Sequence, residues 1–326
     1  MSNKIFSISS AFVLGASFAV ADVPKVAVDI APVHSLVSKV MNGLGKPNLI
    51  IPSEASPHEY QLRPSEAKAL QEAKLVFWIG KDLTPWLEKG LSTLAKDATI
   101  TTLLKADGIE LLDFREGALF EAHDHSDHDD HDDHDDHDHG KHKKKDDHDD
   151  HEGHDHGEHD PHAWLSPGIA KVWLNLIAAK LSEVDPSNAS TYFSNASSSS
   201  KDLDSLSDEI NKILDPIRKE KFVVFHDAYQ YFEKHFNISA SGAISLGDAS
   251  DPSPARLKEI KERVEKEDIH CVLAEPQYNE GLVKAVIEGT HANNAVIDPL
   301  GVGLEAGPTL YDKLIRNLAT NLSNCF

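Results

Sequence analysis

Histidine is the residue that dominates the chemistry of this chain. Seven histidines are scattered, at His34, His58, His162, His226, His235, His270 and His291, and thirteen more crowd into one stretch. Neutral imidazole is the commonest side-chain metal ligand, so both sets raise the question of metal. Residues 123–160 hold 13 His, 17 Asp or Glu and 4 Lys among 38 positions, with only Ser126, Gly140, Gly153 and Gly157 left over. The histidines of this run are His123, His125, His128, His131, His134, His137, His139, His142, His148, His151, His154, His156 and His159. No apolar side chain is available there to offset the entropy of ordering, so the run is expected to be disordered without metal. Imidazole and carboxylate at this density point to several weak metal contacts rather than one ordered site.

Three of the scattered histidines share a context. His58 lies in "IIPSEASPHEYQLRPSE", in the loop that follows a short apolar strand. His226 ends the strand "KFVVFH" just before a helix, and His162 lies in "DPHAWLSP", between the run and a helix start. A fourth segment, "AVIDPLG", brings Asp298 to the end of another strand. Open α/β sheets bind ligands outside the carboxyl ends of their strands, where such loops converge. Three imidazoles completed by a carboxylate or a water suit Zn²⁺. Spacing alone does not separate this trio from the other four histidines, because a strand-end histidine is more often structural.

The elements that must position these residues alternate. "KVAVDI", "NLIIPS", "LVFWIG" and "IELLDF" read as strands. Between them, "PVHSLVSKVMNGLG", "RPSEAKALQEA" and "TPWLEKGLSTLA" read as helices. After the run come the helix "GIAKVWLNLIAAKLSEV", a break at Asp185-Pro186, and a long polar helix from about Asn188 to Leu214. Leu203, Leu206, Ile210 and Ile213 form its apolar stripe, which suits a rod joining two domains. The strands "KFVVF", "ISASGAI", "IHCVLAE" and "NAVIDPLG" then alternate with further helices. The expected architecture is α/β: two lobes with mostly parallel sheets, joined by one long helix. The expected divisions are a signal peptide over 1–21, an N-terminal lobe over 22–185 carrying the insertion 121–160, a linker helix over 186–216, and a C-terminal lobe over 217–326.

Composition narrows the classes. The formal charge is -22, of which the run, with 4 lysines against 17 carboxylates, carries -13. An acidic chain without a basic patch argues against nucleic acid and suits the attraction of cations. Lys4, an apolar stretch and Ala19-Val20-Ala21 before Asp22 read as a cleavable export signal, and no later stretch is long enough to span a membrane. The mature chain is therefore expected to be exported. In that compartment the two cysteines, Cys271 and Cys325, are expected to form a disulfide. No "HExxH" motif or nucleophile elbow accompanies the histidines, so an enzyme is not expected.

The segments "SPHEYQLRPSE", "DPHAWLSP", "VFHDAYQYF", "AEPQ" and "DPLG", in this order, resemble the cluster A-I solute-binding proteins, the metal-binding components of bacterial ABC importers. The histidine-rich insertion just before "DPHAWLSP" resembles their zinc-uptake branch. The resemblance implies a periplasmic protein that captures Zn²⁺ and passes it to an inner-membrane permease with its ATPase; a monomer is expected because the two cores consume the apolar stripes. It implies His58, His162 and His226 as metal ligands. Where His226 stands, manganese-type relatives carry Glu, and imidazole in place of a charged oxygen shifts preference towards zinc. Some zinc-branch members carry Glu just before the first ligand histidine, but Pro57 occupies that place here. The fourth position is left to Asp298, a water or the run, and Asp298 is expected close to the metal, either bound to it or behind a ligand. Glu275, in "AEPQ", is a candidate to orient His226. The alternatives are a periplasmic metal buffer and a manganese or iron importer component.

Overall fold

A computed structural model describes residues 23–115, 159–245 and 252–326. The export signal and twelve histidines of the run, His123 to His156, lie outside the described residues; His159 lies within them. The first sheet contains β1 (Val26–Val28), β2 (Asn48–Leu49), β3 (Leu75–Trp78) and β4 (Thr99–Thr102) in the order β2-β1-β3-β4. The second contains β5 (Phe222–His226), β6 (Gly242–Ser245), β7 (Cys271–Ala274) and β8 (Asn293–Val296) in the order β6-β5-β7-β8. Every pairing is parallel. The two sheets thus repeat one topology, in which the chain leaves the first strand to one side and returns on the other. The β1/β3 and β5/β7 borders are the switch points where loops diverge and a ligand crevice opens.

Helices α1 (Ala31–Val40), α2 (Pro64–Glu72) and α3 (Pro85–Leu94) serve the first sheet, and α6 (Gln230–Phe236), α7 (Pro254–Lys266) and α8 (Glu280–Ile287) the second. Each of the first three has proline in its opening turn, where the missing N–H costs nothing. The strand expected at "IELLDF" does not form. The fourth strand is Thr99–Thr102, and over 109–115 the only ladder contact is an isolated antiparallel bridge between Asp113 and His159. "TITT" is polar and partly exposed, so it lacks the apolar signature of its neighbours, whereas Leu111 and Leu112 pack against the core from a loop.

The long helix α5 (Ala189–Leu214) runs for 26 residues, preceded by α4 (Pro167–Val184). Tyr192, Ala196, Ser199, Leu203, Leu206, Ile210 and Leu214 make its buried stripe, three and four residues apart. It is not a free-standing rod, because α4 and the C-terminal α9 (Leu310–Ser323) pack along it. Asp185 organises the α4–α5 corner by accepting from Ser187 Oγ at 2.6 Å, Asn188 Nδ2 at 2.7 Å and Tyr192 Oη at 2.8 Å. Helix α9 follows the second sheet yet also rests on α1: Tyr311 N donates to Ser35 Oγ at 3.0 Å, and Lys39 pairs with Asp312 at 2.8 Å. One continuous apolar core therefore runs from β1 and α1 through α4 and α5 to one face of β5, with Phe222 and Val224 in it. Val223 and Phe225 point the other way, into a second core under α7 and α8, as the two-residue strand period requires. Among the described residues no helix is long and apolar enough to cross a membrane.

Cys271 opens β7 and is bonded to Cys325 just beyond α9, closing a separation of 54 residues. The bond fastens α9 to the sheet that carries His226. Chain-entropy reasoning gives about 4 kcal/mol as an upper value for a loop of this size. Cys325→Ser is expected to lower the unfolding free energy by up to that amount in denaturant titration, and the reduced wild-type protein should lose the same amount.

Candidate metal centre

His58, His162 and His226 come together from three distant segments. Each offers a ring nitrogen, and the three nitrogens lie within 4.8 Å of one another. The ring centroids are 5.3 Å apart for His162 and His226, 5.6 Å for His58 and His162, and 6.4 Å for His58 and His226. His162 and His226 are 1% and 3% exposed, whereas His58 is half-buried at the mouth. Among the described residues this is the one cluster of three or more His, Cys, Asp or Glu so placed.

Each histidine is held by local structure. His226 is the last residue of β5, and the β5/β7 register, Phe222 opposite Cys271, brings Glu275 beside it when extended past the end of β7. Glu275 Oε1 lies 2.7 Å from His226 Nδ1 and also accepts from the His226 backbone N–H at 3.3 Å. Asp160 holds His162 in the same way, with Oδ1 2.7 Å from Nδ1 and 2.9 Å from the His162 backbone nitrogen. An ionised carboxylate only accepts, so in both pairs Nδ1 carries the proton and Nε2 keeps its lone pair for a metal. His58 rides on a loop tied down by Trp86, whose Nε1 donates to Pro57 O at 2.8 Å. Tyr60, 5.9 Å from the Trp86 ring, continues the anchor by donating its hydroxyl to Glu66 Oε1 at 2.7 Å.

Asp298 is close by but not among the converging ligand atoms. Its carboxylate accepts from Gln277 Nε2 at 2.9 Å, from the Leu300 amide at 2.9 Å and from the Val302 amide. The next residue in its loop, Pro299, takes the Trp164 indole proton on its carbonyl at 2.8 Å, which joins the His162 and Asp298 segments. Burial pushes the Tyr229 hydroxyl well above its ordinary value, and the charges of Glu275 and Asp298 push the same way.

Two further features carry no motif. Arg115, the last residue described before the run, donates Nε to Asp227 Oδ2 at 2.9 Å, and Nη1 and Nη2 to the two Glu233 oxygens at 2.9 and 3.0 Å. Burial pushes the Asp227 carboxyl up to about 6, a rise that the arginine opposes. Tyr231 Oη accepts from the Leu112 amide at 3.0 Å and donates to Asp160 O at 2.9 Å. Gln230 Nε2 reaches both Asp113 O, at 3.2 Å, and Asp160 Oδ2, at 3.1 Å. The described residues on either side of 116–158 are thus tied to α6 and Asp227, a few residues from His226, and His159 Nδ1 lies 2.8 Å from Asp113 Oδ1. Asp160 was hidden in the sequence as one more acid of the run; its place two residues before His162 was the available signal.

The remaining histidines have other surroundings. His34 Nε2 meets Pro47 O at 3.1 Å, and burial pulls its pKa down. His235 is half-buried near Ser166 and Ser207 Oγ, at 3.4 and 3.5 Å, and desolvation likewise pulls its pKa down. His270 is half-exposed beside Glu220.

Residues 26–325 match the model of the ZnuA family, described as zinc-uptake complex component A, periplasmic. The chain belongs to the ZnuA family. It is 46% identical over 303 residues to the high-affinity zinc uptake system protein ZnuA of Brucella abortus, covering 92% of this chain and 91% of that one. The counterpart from Paracoccus denitrificans is 43% identical, with 94% and 92% covered. A ZnuA deletion mutant solved with zinc bound shares the fold at a TM-score of 0.72 and 23% identity, over 93% of this chain and 98% of that one. ZnuA proteins are binding components of an uptake system, not enzymes.

Loss of a carboxylate behind a ligand histidine typically weakens metal binding 10- to 100-fold. Asp160→Asn and Glu275→Gln are each expected to lower zinc affinity within that range by competition with a chromophoric chelator. An unchanged affinity in both would show that the carboxylates do not tune the histidines.

Proposed function

We propose that this chain captures Zn²⁺ on His58, His162 and His226 at the join between its lobes and delivers it from the periplasm to an inner-membrane ABC permease driven by its ATPase. The observation that carries this reading is the convergence of three imidazole nitrogens within 4.8 Å, two of them backed by carboxylates. A neutral nitrogen set suits Zn²⁺ better than the harder Mn²⁺, which prefers oxygen. Three protein ligands leave one position open, as release requires; a closed four-ligand site would hold a structural ion. The names of the relatives, all high-affinity zinc uptake proteins, agree with this cargo.

The donors come from both sheets, His58 and His162 with the first and His226 with the second, so occupancy is tied to lobe geometry. The apolar core that continues across α4, α5 and α9 favours small adjustments over wide hinge opening. The histidine-rich run is an auxiliary collector or gauge that holds several ions weakly near the mouth. Its tether at Asp113 and His159 keeps the local ligand concentration high there. Exported after cleavage at Ala21, the chain acts as a monomer. Asp298 serves the centre from behind Gln277.

Calorimetric zinc titration of the mature protein beside His58→Ala/His226→Ala tests the site. One tight step should vanish in the variant while weak binding persists; coincident titrations would make the run the binding element and the protein a buffer. Deleting residues 123–158, which spares His159, should leave one tight site and remove the weak ones. Tight binding should also weaken on acidification, because protonated imidazole cannot ligate.

A further inference from the structure

The turn after β7 brings another polar group to the histidines. Gln277 lines the same pocket as His58, His162 and His226, with Ser56 also in its wall. Its Nε2 donates to Asp298 Oδ1 at 2.9 Å. Asp298 is itself fixed by the backbone amides of Leu300 and Val302, and a carboxylate accepts only. The Gln277 amide therefore has one orientation, with NH₂ on Asp298 and Oε1 turned away from it. That Oε1 is buried and meets no donor among the described residues, and Ser56 Oγ is likewise without a partner. A buried carbonyl that the protein does not satisfy is costly, and here the donor must come with the ligand.

A bare metal ion has no proton to give. A water bound to it does, and the metal makes that proton a stronger donor. We propose that the open coordination position takes a water molecule whose proton is accepted by Gln277 Oε1, with Asp298 as the positioning residue that turns Gln277 towards it. This rests on the histidine trio being the metal site. Gln277 is then the side chain that selects the fourth ligand: its carbonyl favours a neutral donor and disfavours an anion. The centre is left with one exchangeable ligand and no protein carboxylate on the metal, which suits an ion that must leave again.

The test uses the full chain loaded with one equivalent of Co²⁺, read by its visible absorption, with azide as the competing anion. Persistence of the band in His58→Ala would undo the site reading itself, whatever Gln277 does. With the band dependent on His58, azide should shift it in the wild type. Gln277→Leu, with the near-isosteric Gln277→Met as a second variant, should keep a four-coordinate band. Each should bind Zn²⁺ about tenfold more weakly and take azide at severalfold lower concentration. The proposal is overturned if azide leaves the wild-type band untouched, or if the Gln277 variants match wild type in both Zn²⁺ and azide affinity. A band in the Gln277 variants that loses four-coordinate character would overturn it too, by making the glutamine oxygen itself the ligand.

Discussion

Three imidazoles brought within 4.8 Å of one another need a fixed tautomer, or their lone pairs do not converge. The carboxylates of Asp160 and Glu275, each 2.7 Å from an Nδ1, impose it. Both are fully buried in the protein beside the rings they hold. Each carboxylate accepts on one oxygen from both an imidazole and a backbone amide. The rest of the structure is arranged around this requirement. The β5/β7 register delivers Glu275 to His226, and the two-residue step from Asp160 delivers the second carboxylate to His162.

The same constraint explains why the run enters where it does. The described segments that flank it, ending at Arg115 and beginning at His159, are held by Asp227 and by Gln230, Tyr231 and Glu233 of α6. Asp160 belongs to both systems: its Oδ1 holds His162, while its Oδ2 and carbonyl take Gln230 and Tyr231. The segments that flank the run and the second histidine of the cluster therefore share one buried residue.

The C-terminal helix gives the arrangement its stiffness. It follows the second sheet in sequence but packs on α1 and α5, and Arg316 grips Glu209 of α5 at 2.7 and 2.8 Å. Tyr311 Oη donates to Trp164 O at 2.8 Å, two residues from His162. Trp164 in turn donates to Pro299 O, so the segments carrying His162 and Asp298 are braced by one helix and one indole. The disulfide adds a covalent tie between α9 and β7.

The sequence by itself determined the alternation of strands and helices, the long striped helix and the pairing of Cys271 with Cys325, and its family resemblance named the three histidines that the structure brings together. Periodicity, turn residues and ordered motifs are local properties, legible without a fold. The polar strand Thr99–Thr102 was missed because its neighbours, not its side chains, make it a strand. Asp298 shows the same limit from the other side, since its chemistry suited a ligand and only its partners assign its oxygens to Gln277 and two backbone amides. Asp160, Arg115 and Gln277 were equally silent, each ordinary in type. Their roles come from hydrogen-bond partners 2.7 to 3.0 Å away, most of them far off in sequence. Hydrogen bonds act over a single atomic contact, and which atoms meet at that distance is decided only when the sheets and helices have packed.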